Sequence, residues 1–259
     1  MKQFKNFSFK TLFNKDLLTN NFEKRYLTKQ YRANGGNTFI AISRDTEKYF
    51  QENASRFSIE LLHNAVDYNK FYHHKDFGTK HKLRLINIGS YQAKKNQQFL
   101  IDIAKVLRSQ NIDFELTLLG DGNLYDKVFR LIIDNDLQNC VKQYGNVNNV
   151  EEYLWQSDIY LHSAYYEPLG LVLLEAMSAG LPVVTLDGKG NRDLIEEGKN
   201  GYMIYEQNAE LFADKIIEIW NNKQKYQAMS QYAQEYAKRY DIVPYVDKLL
   251  KIYNNVIIQ

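Results

Sequence analysis

The sequence predicts an α/β protein built on a parallel, doubly wound sheet. Strands and helices alternate regularly from residue 83 onward, and such alternation favours a parallel sheet with right-handed crossovers. Most of the predicted strands are short, mainly apolar runs such as Leu83–Ile88 and Phe114–Leu119, which is typical of strands in a buried parallel sheet. Several of them end in glycine-rich corners. In such a sheet a ligand binds at the carboxyl ends of the strands, near the point where the strand order reverses.

The first 80 residues are less regular than the rest of the chain. The apolar run that follows Gly35-Gly36 is predicted to be a buried strand, and the polar run near residue 80 is predicted to be a linker. In order, we expect a strand at Thr38–Ser43, a helix at about 45–53, a strand at Ser58–Leu62, a turn at Asn64–Asp67 and the linker at 68–80.

From residue 83 each apolar run is followed by a stretch of helical period. The predicted strands are Leu83–Ile88, Phe114–Leu119, Val141–Tyr144, Ile159–His162, Val183–Leu186 and Tyr202–Ile204. Helices are expected at about 96–110, 150–155 and 171–177, and another follows Gly120-Asp121-Gly122 and ends at about residue 134. Three more helices, at about 208–221, 223–239 and 242–256, close the chain. A loop is expected at 188–191.

The composition is that of an ordinary globular protein. The chain has 259 residues, of which 44% are hydrophobic and 25% charged, enough for one large or two modest domains. The single cysteine excludes a disulfide framework, and no apolar run approaches the roughly 18 residues of a membrane span. The sequence also shows no secretory signal pattern, so we expect a cytoplasmic protein. Any contact with the membrane would be peripheral, at its inner face.

Residues 1–36 hold the basic charge of the chain. They carry a surplus of six positive charges, whereas the net charge of the whole chain is +2. A body without a basic face argues against nucleic acid as a partner. The aromatic and apolar residues among these lysines are compatible with an amphipathic helix on anionic lipid, and the alternative is a helix packed on its own domain or on a partner.

The stretch Tyr166–Gly180 carries two carboxylates, Glu167 and Glu175, whose positions the packing of a hydrophobic core does not explain. The apolar run Leu171–Met177 predicts a helix, and Gly170 permits a tight entry into it. Glu175 is expected to lie at depth with dedicated hydrogen-bond donors, because an unpaired buried carboxylate costs several kcal/mol. Free N–H groups at the helix start bind phosphates. With Glu167 in the loop, the arrangement suits a ligand with sugar hydroxyls at its ends and phosphates between them, and the alternative is a buried helix whose one glutamate pairs with a neighbouring cation.

An ordered series of motifs runs through most of the chain. It consists of Asn64-Ala65-Val66-Asp67 followed by Phe71, Gly89 with Lys95-Asn96, Gly120-Asp121-Gly122, Gly145-Asn146-Val147, Glu167 with Glu175, Ala179–Val184 and Gly190 before Asp193. In this order the series resembles the retaining, nucleotide-sugar-dependent glycosyltransferases of family 4, which have the GT-B fold. The resemblance covers residues 38–239 and matches the nucleotide-binding, C-terminal domain of that family.

The resemblance implies a role for each of these residues. Glu175 would hold the ribose hydroxyls, while Glu167 and Lys95 would be the catalytic residues, the first contacting the donor sugar and the second pairing with the diphosphate. The other expected donor-binding residues are Gly89, Ser90, Gly120, Asn146, Val147, Leu169, Gly170 and Leu171. Transfer would retain the anomeric configuration and need neither cofactor nor metal, because helix amides and Lys95 take the place of a divalent ion.

Some positions depart from the family pattern or carry signals that we discount. Ser90 stands where most members have arginine, so that Lys94 substitutes for it or donor affinity is lower. Ala65 replaces a usual glycine, and Gly190-Asn191 a usual glycine pair. Asp134-Asn135-Asp136 has the spelling of a metal motif but ends a predicted helix, and the five histidines lack the spacing of a metal site.

A complete acceptor-side domain needs roughly 150–200 residues. We therefore expect residues 1–80 to be a truncated acceptor-side portion with its linker, 81–239 to be the nucleotide-sugar donor domain, and 240–259 to be a helix that packs back on the N-terminal portion. The favoured function is transfer of a sugar from a uridine or guanosine diphosphate donor to a glycan or lipid-linked acceptor in cell-surface polysaccharide synthesis. The alternatives are a nucleotide-sugar-binding module without turnover and a nucleotide-sugar epimerase or phosphorylase. A homodimer or a separate acceptor-domain protein would supply the missing surface.

Overall fold

The computed structural model describes residues 38–53, 57–78 and 82–257. Its strands are β1 (Thr38–Ala41), β2 (Ser58–Leu61), β3 (Leu83–Ile88), β4 (Phe114–Leu119), β5 (Val141–Tyr144), β6 (Ile159–His162), β7 (Val183–Leu186) and β8 (Gly201–Ile204). The last six form one parallel sheet in the order β5-β4-β3-β6-β7-β8. The chain order reverses between β3 and β6, so this sheet has its switch point there.

Helices cover both faces of the large sheet. They are α1 (Arg44–Asn53), α2 (Tyr68–Phe71), α3 (Gln97–Ser109), α4 (Tyr125–Asp134), α5 (Val150–Trp155), α6 (Leu171–Ser178), α7 (Ala209–Asn221), α8 (Lys223–Lys238) and α9 (Ile242–Ile257), with 3₁₀ turns at Ala93–Lys95 and Gly190–Asp193. Helices α3, α4 and α7 pack on one face, and α2, α5, α6 and the second half of α8 on the other. Alternate strand residues enter the two cores: Ile159 and Leu161 join the first, and Tyr160 joins the second.

A small N-terminal unit adjoins this domain. Strands β1 and β2 pair in parallel, and α1 lies against them. The backbone N–H of Arg44 donates to Asp193 Oδ2 (2.7 Å), and His63 Nε2 lies 2.9 Å from the same oxygen. Val66 N donates to the Tyr240 carbonyl oxygen (2.9 Å), just before α9, and the Val66 carbonyl oxygen accepts from Ile242 N (3.0 Å), the first residue of α9. The carboxyl end of β2 is thus fastened to the body that carries the large sheet.

The predicted elements are confirmed closely where the sequence pattern was regular. Every strand and helix predicted from residue 83 onward is present, with bounds within one residue of those expected. The predicted linker at 68–80 is wrong in its first part, because α2 begins at Tyr68 and buries both Tyr68 and Phe71. Asp67 caps this helix by accepting from Lys70 N (3.1 Å). Two aromatic side chains that pack on the domain therefore order a segment whose polar composition indicated a loop.

Other expectations stay predictions. The helix expected in residues 1–36 lies outside the described residues, and the domain limits at 80 and 240 stay as proposed. Helix α9 leaves Val243, Leu250 and Tyr253 largely exposed among the described residues, so its packing on the N-terminal portion is likewise a prediction. Within the described ranges, no helix is both long enough and apolar enough to cross a bilayer.

Candidate functional site

The switch point of the sheet is held together by side chains. Asn87 Nδ2, on β3, donates to the carbonyl oxygen of Leu161 on β6 (2.7 Å). The Tyr160 hydroxyl, on β6, donates to the Ile88 carbonyl oxygen on β3 (3.2 Å). The chain then leaves β3 through Gly89 and Ser90 and leaves β6 through Ser163. These loops therefore start from fixed positions at the carboxyl edge of the sheet, where parallel α/β proteins bind ligands.

Lys95 and Glu167 form an ion pair at this edge. Lys95 Nζ lies 2.5 Å from Glu167 Oε2, and only 21% and 10% of the two side chains are exposed. The Ser163 hydroxyl donates to the Lys95 carbonyl oxygen (2.7 Å) and so fixes the 3₁₀ turn that carries the lysine. Burial alone would raise the pKa of the Glu167 carboxyl, but His162 and Lys95 lower that pKa to about 2. The carboxylate is therefore ionised at neutral pH.

His162 is the site residue that sequence reasoning missed. Its side chain is 2% exposed, and Nε2 lies 3.4 Å from Glu167 Oε2. Burial lowers the pKa of the imidazole against the opposing effect of Glu167, so the ring is neutral at neutral pH. The signal in the sequence is a polar residue that ends an otherwise apolar strand five positions before Glu167. Its spacing from the other histidines does not fit a metal site, and the sequence alone gives it no other role.

The Glu167 loop is also fixed by its backbone. Glu167 N donates to the Gly188 carbonyl oxygen (2.7 Å), and Gly190 N donates to the Glu167 carbonyl oxygen (3.0 Å). The fully buried Asn191 accepts from Gly188 N (2.9 Å) and donates to the Leu186 carbonyl oxygen (2.9 Å). Asn191, which stands where the family usually has a glycine, therefore anchors the loop that holds Glu167.

Helix α6 starts beside Glu167 and offers free donors. Gly170, which precedes the helix, has φ +96°, a backbone conformation that favours glycine. A Cβ added there would also lie 2.8 Å from Leu173 Cδ1. Among the described residues, the N–H groups of Leu169, Gly170 and Leu171 have no hydrogen-bond acceptor. Such donors at a helix start bind anions.

Glu175 lies farther along α6 and is half-buried. Burial raises the pKa of its carboxyl, with Lys70 acting to lower it and Glu151 to raise it. The expectation that protein groups donate to this carboxylate is wrong for the described part of the chain, where burial and two charged neighbours act on the Glu175 carboxyl and no side-chain or backbone donor does. A half-buried carboxylate without protein donors is open to hydrogen bonds from solvent or from a ligand.

The glycine corners of neighbouring strands stand side by side. Gln97 Nε2 donates to the carbonyl oxygens of Gly89 (3.2 Å) and Ser90 (3.0 Å). A Cβ on Gly120 would lie 2.2 Å from the Gly89 oxygen, so the loops after β3 and β4 touch. Gln97 was not predicted, because its position in a helical stretch gives no hint that it faces the preceding loop.

The remaining predicted residues are exposed or only partly buried. Asn146, in the loop after β5, is exposed, and Val147 is partly buried against the α5 and α6 core. Lys94, proposed as a substitute for a missing arginine, is exposed, whereas Lys95 points into the site. Direct contacts thus join Lys95 to Glu167 and Gly89 to Gly120, whereas the charged groups near Glu175 are Lys70 on α2 and Glu151 on α5.

Two curated proteins illustrate what the chain is similar to. A glycosyltransferase of Methanocaldococcus jannaschii is 24% identical over 242 residues, which cover 93% of this chain and 65% of that protein. The poly(ribitol-phosphate) α-N-acetylglucosaminyltransferase of Staphylococcus aureus is 29% identical over 163 residues, which cover 62% of this chain and 33% of that protein. The chain thus spans less than two thirds of the length of these relatives.

Solved structures share the fold. A mutant of Staphylococcus aureus TarM, bound to UDP, Fondaparinux and α-GlcNAc-glycerol, superposes with a TM-score of 0.79 at 24% identity, over 90% of this chain and 46% of that one. HepE of Anabaena in complex with UDP-glucose superposes with a TM-score of 0.78 at 21% identity, over 92% of this chain and 69% of that one. At these identities the likeness shows the GT-B fold alone.

The family comparison covers the part of the chain that holds the site. The model of the family described as glycosyl transferases group 1 matches residues 70–236. This segment contains all six strands of the large sheet and every predicted site residue. The chain therefore belongs to the glycosyl transferases group 1 family.

Proposed function

We propose that the chain binds a uridine diphosphate sugar and takes part in transferring the sugar, with retention of configuration, to an acceptor of a cell-surface polymer. The observation that carries this proposal is the Lys95–Glu167 pair beside the free amides of α6. A cation, a carboxylate and a helix start meet at the switch point of a parallel sheet. These are the groups that a ligand with both a diphosphate and a hydroxylated sugar requires.

The diphosphate is proposed to lie on the start of α6. The N–H groups of Leu169, Gly170 and Leu171 donate to its oxygens, and the Lys95 ammonium adds a charge-assisted contact. Negative charge grows on the nucleoside diphosphate as it leaves, so donors already in place favour the transition state over the bound substrate. On this account no metal is needed at the diphosphate, because the cation and the helix dipole supply the positive potential.

The two carboxylates are proposed to hold opposite ends of the donor. Glu175 accepts from the two ribose hydroxyls, which supply the donors that its half-buried carboxylate lacks. Glu167 accepts from hydroxyls of the transferred sugar and orients it, because its own backbone and side chain are fixed on both sides. The base lies near Asn146 and Val147.

The proposals for the donor base and for the acceptor are supported by what the related proteins bind and act on. The solved neighbours reported above hold UDP or UDP-glucose, which supports uridine over guanosine here. The Staphylococcus relative is named for a polyol-phosphate polymer, which supports a cell-surface glycan or lipid-linked acceptor. A second copy or a separate protein is proposed to complete the acceptor side, and residues 1–36 are proposed to contact the membrane at its cytoplasmic face.

Calorimetry with UDP and GDP tests the proposal. We expect UDP to bind with a Kd of about 10 µM, corresponding to roughly 7 kcal/mol, and GDP to bind at least about tenfold more weakly. A chelator should leave the UDP affinity unchanged, because Lys95 and the α6 amides carry the diphosphate. If neither nucleotide binds, the proposed function is wrong, and if the chelator abolishes UDP binding, the metal-free arrangement is wrong.

A further inference from the structure

The His162 ring is a buried polar group without a hydrogen bond. Within the described residues, neither Nδ1 nor Nε2 has a partner of hydrogen-bond geometry, although the side chain is only 2% exposed. The ring lies against Tyr160, with centroids 6.1 Å apart and an interplanar angle of 27°. The charged groups that face it are Glu167 and Lys95. A group of this kind is costly to bury unless some state of the protein uses it.

Glu167 needs a second partner once the donor binds. In the free protein the carboxylate is paired with Lys95 at 2.5 Å. The proposed function assigns the same ammonium to the donor diphosphate. When UDP binds without a sugar, no sugar hydroxyl reaches Glu167, and a carboxylate with only 10% of its side chain exposed would lie unpaired beside a diphosphate that repels it.

We propose that His162 is a positioning residue, which donates its Nε2–H to Glu167 when the diphosphate draws Lys95 away. The inference rests on the proposed function. Nε2 already lies 3.4 Å from Glu167 Oε2, within reach of a hydrogen bond, so a small turn of the carboxylate that brings it into line with Nε2–H makes the bond. The stacked Tyr160 ring limits how far the imidazole itself can turn.

A neutral histidine suits this role. Donation from Nε2 requires the tautomer with its proton on Nε2, and it adds no charge that would compete with Lys95 for the diphosphate. Glutamine can place an amide nitrogen where Nε2 lies, whereas the shorter asparagine reaches only the position of Nδ1. His162→Gln should therefore preserve the hydrogen bond to Glu167, and His162→Leu and His162→Asn should lose it.

The binding test uses UDP and uridine on the full chain. We expect His162→Leu and His162→Asn to weaken UDP binding by about tenfold, the worth of one hydrogen bond to a charged group. Uridine lacks the diphosphate and leaves Lys95 on Glu167, so its affinity should stay within about twofold of wild type. His162→Gln should bind UDP like wild type. Equal losses for UDP and uridine, or no loss for UDP, would overturn the inference.

A second measurement needs no ligand and separates this inference from the proposed function. In a Lys95→Met background His162 is the one remaining neighbour of the Glu167 carboxylate that could pair with it among the described residues. His162→Leu should therefore lower Tm more there than in wild type, by about 5 °C beyond the common packing loss. His162→Gln should remove this extra loss. Equal effects in both backgrounds would show that His162 does not support Glu167, whether or not the chain binds UDP.

Discussion

Replacing Lys95 with methionine is expected to weaken UDP binding by about 10- to 150-fold and to leave uridine binding unchanged. One charge-assisted hydrogen bond contributes about 1.5–3 kcal/mol, and each 1.4 kcal/mol is a factor of ten in affinity. Methionine keeps most of the length of the side chain, so the loss reports the ammonium rather than packing. Calorimetric titration of both ligands measures the difference.

Lys94→Met is the matched control for this experiment. Lys94 precedes Lys95 in the same 3₁₀ turn, but its side chain is exposed. We expect its replacement to change UDP affinity by less than about threefold, the size of a solvent-screened charge effect. An equal loss for the two variants would show that Lys94 replaces the arginine absent at Ser90. If Lys95→Met weakens uridine as much as UDP, Lys95 does not contact the diphosphate.

Gly190→Ala is expected to destabilise the protein by about 3 kcal/mol or more. A Cβ at this position would lie 1.8 Å from the Pro168 carbonyl oxygen and 2.8 Å from that of Glu167. Both contacts are with backbone, so relief requires the two loops to separate. That movement breaks the hydrogen bond from Gly190 N to the Glu167 carbonyl oxygen and displaces the Glu167 side chain. Tm should fall by about 6–12 °C.

Gly145→Ala controls for the loss of a glycine at the same edge of the sheet. No atom lies within 4 Å of a Cβ added there, so the change in the free energy of unfolding should stay within about 0.5 kcal/mol. Thermal unfolding of both variants and of the wild type gives the comparison. A Gly190→Ala protein as stable as Gly145→Ala would mean that the two loops do not meet as described.

The fold was predictable because mainly apolar runs alternate regularly with stretches of helical period. Strands β6, β7 and β8 are fully buried, whereas the edge strand β5 contains Lys142 and Gln143 and is partly exposed. The helix within residues 68–80 could not be predicted from the sequence pattern. Tyr68 and Phe71 are buried only because α6 and α5 lie beneath them, and no local pattern predicts that contact.

The motifs indicate candidate site residues, but they do not show which of these residues contact one another. Lys95 and Glu167 were singled out by their motifs, yet their pairing depends on β3 and β6 being neighbours, which spacing along the chain does not reveal. Gln97 and Asn191 support loops through contacts that are specified only in three dimensions. His162 was visible as a polar residue in an apolar strand, but its meaning depends on the position of the Glu167 carboxylate.

In the proposed function two carboxylates hold opposite ends of a nucleotide sugar. This arrangement is tested most directly by titrating Glu175→Gln and Glu167→Gln with UDP and with UDP-glucose or UDP-N-acetylglucosamine, whichever binds the wild type more tightly. Glu175→Gln should weaken UDP and UDP-sugar by the same factor, about tenfold, because both contain the ribose. Glu167→Gln should weaken only the UDP-sugar, by a similar factor. Loss of UDP affinity in Glu167→Gln, with the UDP-sugar unaffected in Glu175→Gln, would contradict the account.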